Sequence, residues 1–172
     1  MFTQEEANNL IALPKLVYLG KVGQRAYLLP TQVPVQTKLD LISEDTEYQF
    51  QLDINQSKKY SVKLSIHTQE SESNIGLVRL DFFGTHTNPV EITENLPLIF
   101  HEYAGKYFGT HEHHIHYFVE GYKHLSWAIP LTVDGFGIRN IENQSDVNSA
   151  IVEFSKKINI ITDLKFQEAL QL

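Results

Sequence analysis

The sequence predicts an α+β fold: a mostly antiparallel β-sheet with a short N-terminal helix and a C-terminal helix, in a single domain over residues 1–172. Three observations predict it. Strict apolar–polar alternation runs through Glu47–Ile54 and Tyr60–His67, the period of a half-buried strand. Helical spacing of apolar residues is confined to the two ends of the chain. A chain of 172 residues with 42% hydrophobic side chains can bury roughly 70% of its unfolded surface, enough for a true core.

At the N-terminus, Thr3 followed by Glu6 forms a capping box, Ala7, Leu10 and Ile11 keep helical spacing, and Pro14 stops the helix. The period then drops to two. Thr37–Ile42 precedes the two alternating runs, Asn55-Gln56-Ser57 joins them as a hairpin turn, and Leu77–Phe83 follows. This reads as a meander with one wet face. Residues 84–112 are irregular, broken by Gly84, Asn88-Pro89, Pro97, Gly105 and Gly109. A second hairpin pairs His113–Val119 with Leu125–Leu131, in a register that sets Ile115 opposite Ile129 and Tyr117 opposite Trp127. Ser145 or Asp146 then caps a helix that buries Val147, Ile151, Phe154 and Ile158.

Composition excludes several classes. Fourteen basic against 21 acidic residues give a net charge of −7, which argues against broad nucleic-acid binding, since phosphates are held by clustered Lys and Arg. With no cysteine there is no disulfide framework, thiol chemistry or Cys-ligated zinc. No stretch approaches the ~20 apolar residues of a membrane span, and Met1–Glu6 lacks the basic start of an export signal, so a cytoplasmic location is expected. Asp40, Glu44, Asp45, Glu47 and Asp53 fall in a stretch without basic residues, a surface that suits a basic protein partner.

The chemistry of the chain lies in its histidines, seven of eight between His86 and His124. If His114–Val119 is a strand, His114 and His116 share one face about 7 Å apart, while Ile115 and Tyr117 face the core. His114, His116 and Glu120 would then supply two imidazoles and a carboxylate for Fe(II), Mn or Zn. The sequence demands no cofactor; this set admits a divalent transition metal. A second chemistry uses the same strand. His86, His114 and His116 can share base and acid roles on a phosphodiester, with Arg79 holding the phosphate and Asp81 orienting an imidazole. That implies a small or structured anionic substrate and hydrolytic, nuclease-like action. His67 and His124 carry no role in either scheme.

The spacing His114-x-His116 with Glu120 resembles the first metal motif of the cupin family, although Gly109 is displaced by one residue and the family's second motif has no counterpart. The run His114–Tyr122 with Trp127–Leu131, together with Arg79-Leu80-Asp81 and His86–Pro89, resembles an uncharacterised family of short bacterial and prophage-type proteins. That resemblance implies a cytoplasmic protein of bacterial or phage origin and brings no activity with it.

Overall fold

Alternation in the central third of the chain builds the sheet, and the rest of the molecule is arranged on its two faces. The computed structural model describes residues 2–30 and 32–167. In chain order these form α1 (Gln4–Ala12), β1 (Lys15–Tyr18), β2 (Gly23–Gln24), β3 (Ala26–Leu29), β4 (Gln36–Ser43), β5 (Gln49–Gln56), β6 (Leu64–Glu70), β7 (Ile75–Phe82), β8 (His86–Thr87), a 3-10 helix over Leu98–Tyr103, β9 (Tyr107–Phe108), β10 (His114–Tyr117), β11 (Trp127–Pro130), α2 (Leu131–Asp134), α3 (Gln144–Lys157) and β12 (Asp163–Phe166). Eight strands form one sheet in the order β11-β10-β7-β6-β5-β4-β1-β2, every pair antiparallel. The α+β expectation therefore holds, with a helix near each end of the chain.

α1 starts where expected: the Thr3 hydroxyl accepts from the Glu6 N–H, and the Glu6 carboxylate accepts from the Thr3 N–H at 2.8 Å. The Glu120 carboxylate adds a second anion at this terminus, accepting from the Gln4 N–H at 2.9 Å. The β5–β6 connection differs from the expected three-residue turn. Asn55 and Gln56 stay in the strand, and Tyr60–Lys63 belong to a longer loop. Ser57 Oγ accepts from the Lys59 and Tyr60 N–H groups, and Gln56 donates to the Ser61 carbonyl, so this loop satisfies its own backbone.

At α3 the cap is Asn143, ahead of the expected Ser145 or Asp146; Asp146 is the acidic partner in its capping box. Asn143→Ala should lower stability by about 1 kcal/mol, a loss readable as an earlier urea midpoint with unchanged slope. The chain does not end on that helix. β12 returns to pair in parallel with β3, an element that short alternation did not reveal.

The register explains the two faces. Ile54, Ile66, Leu80, Ile115 and Ile129 stand in one cross-strand row, all buried in the core that α3 covers with Val147, Ala150, Ile151 and Phe154. One step along, side chains reverse face and two polar rows appear. The first is Lys38, Asp53, His67, Arg79 and His116; the second is Gln36, Asn55, Ser65, Asp81 and His114. The predicted Ile115–Ile129 and Tyr117–Trp127 pairs both occur.

Candidate metal centre

The two polar rows converge at the β7–β10 junction. Antiparallel register sets His114 opposite Asp81 and His116 opposite Arg79. Both imidazoles are fully buried, and Asp81 is nearly so. After β7 the chain turns at Phe83-Gly84, where a Cβ on Gly84 would press on the Asp81 side chain at 3.2 Å. β8 and β9 then fold over the junction. His86 comes to lie 4.4 Å from His116 between ring centroids, and Phe108 packs on His114 at 4.7 Å. Asn88 pins this cover by donating to the Ala128 carbonyl and accepting from the Ala128 N–H. Arg79, Asp81, His86, His114 and His116 thus meet in one place, although they come from three separate stretches of sequence.

Hydrogen bonds fix the tautomers. His114 Nδ1 lies 2.7 Å from the Glu112 carbonyl and His116 Nδ1 2.9 Å from the Leu125 carbonyl. A carbonyl only accepts, so each Nδ1 carries the proton and each neutral ring turns an Nε2 lone pair inward. Burial lowers both histidines, His116 to about 4, so both are neutral at pH 7. For Asp81, burial pushes upward, but the Arg79 charge and the Ser65 contact oppose it and hold the carboxyl below its usual range.

Three acceptors therefore face one another without a proton of their own. His116 Nε2 is 3.1 Å and His114 Nε2 3.8 Å from Asp81 Oδ2, and all three ligand atoms lie within 4.8 Å of one another. Arg79 relieves part of this. Its Nε donates to Asp81 at 2.7 Å and its terminal nitrogen to His116 Nε2 at 3.1 Å. His114 Nε2 receives no donor among the described residues and is buried, which is costly unless something else satisfies it. A four-coordinate ion with ligand bonds near 2.1 Å sets its ligands about 3.4 Å apart, between the two distances to Asp81 Oδ2. Two imidazole nitrogens and a carboxylate form a group that can hold a metal ion.

The carboxylate in this group is Asp81. Glu120, which local spacing had joined to His114 and His116, caps α1 instead, because the chain leaves β10 at Tyr117 and no longer follows strand parity. Ser65, Phe108 and the carbonyls of Glu112 and Leu125 were not foreseen. Ser65 was the findable one, since the β6–β7 register sets it opposite Asp81. Two further histidines serve the fold: His101 meets the Leu96 carbonyl, and His113 accepts from the Phe83 N–H. Within the acidic stretch, Glu44 pairs with Arg25, Asp53 pairs with Lys38, and Asp45 accepts from Ser43 and the Glu47 N–H.

A family model matches residues 2–160, nearly the whole chain and both polar rows. The chain belongs to DUF6978, a family of unknown function. Membership in DUF6978 agrees with the resemblance to an uncharacterised domain and adds no reaction. No curated protein and no solved structure matches the chain. No helix among the described residues is long and apolar enough to cross a membrane.

Proposed function

We propose that Asp81, His114 and His116 hold a divalent transition-metal ion, and that this DUF6978 protein uses the ion in hydrolytic chemistry on an anionic ester. The observation that carries the reading is the buried His114 Nε2, a lone pair with no donor, aimed at a carboxylate and a second fixed lone pair. Zn, Mn and Fe(II) all accept two imidazoles and a carboxylate. Such an ion polarises a phosphoryl oxygen or lowers the pKa of bound water. Arg79 would move off His116 when the ion enters. Its side chain is 35% exposed, so it has room to turn outward and meet an anionic group.

A metal-free reading uses the same residues. It is favoured by the guanidinium that bridges Asp81 and His116 beside His86, an arrangement suited to acid–base work on a phosphodiester. The two readings part on metal dependence. Chelator-treated, untagged protein should take up one equivalent of Zn²⁺, Mn²⁺ or Fe²⁺ by elemental analysis after dialysis. Saturation near 100 times Kd should raise the melting temperature by about 5–10 °C. Absence of both uptake and thermal shift with all three ions would sink the metal reading and leave the acid–base one.

A further inference from the structure

The polar rows do more than frame the ion-binding group. On the same face, from β4 to β7, they line an open groove of about 780 Å³ that runs up to Arg79. That volume is in the range of small-molecule sites. Its charge pattern is specific. At the far end Lys38 is matched by Asp53 at 3.5 Å, so that end is neutral. The other polar lining side chains include Gln36, Asn55, Ser65, Gln69, Asn74 and His67, the last held neutral chiefly by burial. At the near end, Arg79 borders the groove, and its guanidinium carries more N–H donors than the bonds to Asp81 and His116 use. Lys38 and Arg79 stand three strand spacings apart, roughly 14 Å.

We propose that this groove binds a small phosphate ester, with its phosphate on Arg79 at the metal end and an uncharged, hydrogen-bonding body along Gln69, Asn55 and Gln36. This names a substrate class for the site and rests on the metal-centre reading for any reaction, though not for binding. Arg79 is the lining cation whose carboxylate partner, Asp81, stands outside the groove lining, whereas Lys38 has its partner Asp53 within it, and one such cation suits one phosphate. A polyanion would find Lys38 already paired and would face a protein of net charge −7. Side-chain amides donate and accept at once, which suits the hydroxyls of a sugar or the edge of a nucleobase rather than a hydrocarbon body. Arg79 donates to Asp81, one of the three ion-binding residues, so a phosphate on the guanidinium would stand beside that group.

Calorimetric titration of zinc-loaded and metal-free protein tests the inference. The probes are adenosine 5′-monophosphate and glucose 6-phosphate, with adenosine, glucose, inorganic phosphate and glucuronate as comparisons. At least one ester should bind tenfold or more tightly than its unphosphorylated parent, inorganic phosphate and glucuronate; which ester it is separates a nucleotide from a sugar phosphate. The Asn55→Leu, Gln69→Leu double variant should remove that ester's advantage and leave inorganic phosphate binding unchanged. If neither ester exceeds inorganic phosphate, or glucuronate binds as tightly as the better ester, the inference is overturned. Zinc stoichiometry is read separately, so metal uptake without ester binding removes the substrate class alone. Ester binding without metal uptake removes the metal centre alone.

Discussion

Lys15→Met should lower stability by about 3 kcal/mol at neutral pH, one of the largest losses a single substitution would cause in this fold. Lys15 lies in β1 with no solvent exposure. Its ammonium donates to the carbonyls of Ile11 at 2.9 Å, Leu13 at 2.8 Å and Ile158 at 2.9 Å, and stands 4.7 Å above the Phe50 ring. These carbonyls belong to the ends of α1 and α3, where no helical N–H remains to serve them and where the helix dipoles favour a cation. One side chain therefore closes two helices against the sheet. Methionine would fill most of the space but take the donor from three carbonyls, that of Ile158 buried and those of Ile11 and Leu13 partly so.

The same residue gives the pH dependence a sign. Burial pulls Lys15 down to about 7 from 10.5. Between those values the unfolded chain binds more protons than the folded one, so the stability of the wild type increases as pH rises through that window. The gap between wild type and Lys15→Met should thus widen from pH 7 to pH 9 in urea titrations. A gap that narrows would mean that the three carbonyls and the helix ends hold the proton more firmly than burial expels it.

Lys15 also shows why part of the fold was hidden in the sequence. Local periodicity revealed the meander, the second hairpin and both helices, because a period of two or of 3.6 is written in neighbouring residues. β1 was passed over, since a lysine beside a proline reads as surface punctuation, and its burial depends on carbonyls supplied by the last helix, Ile158 O included. β12 needed a partner strand more than a hundred residues earlier. The site divides in the same way. Strand parity set His114 and His116 side by side, and the Arg79-x-Asp81 pattern marked the facing strand. Choosing between Glu120 and Asp81 as the carboxylate required the β7–β10 register, which no local spacing contains. His86 reached the junction through a two-residue strand that only its pairing with Tyr107–Phe108 defines.

His114→Leu should abolish metal-induced stabilisation while leaving the metal-free protein about as stable as the wild type. Most buried polar groups are costly to remove because a partner is stranded. In the metal-free protein His114 makes only its Nδ1 bond to the Glu112 carbonyl, while its Nε2 is itself stranded. Leucine gives up that bond, removes the unsatisfied nitrogen, and keeps apolar contact with Phe108. These effects offset, each about 1 kcal/mol. With metal present the outcome reverses. Losing one of three ligands should weaken zinc binding by more than the roughly 10–100-fold that follows loss of a group that only orients a ligand, so the thermal shift at a zinc concentration that saturates the wild type disappears. Asp81→Asn provides the contrast. It also removes a ligand, but strips Arg79 of its carboxylate partner and should destabilise the metal-free protein by about 3 kcal/mol. If His114→Leu instead costs as much as Asp81→Asn without metal, His114 is a structural residue and its unpartnered nitrogen has no bearing on an ion. Equal stability without metal, with the shift lost only in its presence, is the signature of a side chain kept for binding at the fold's expense.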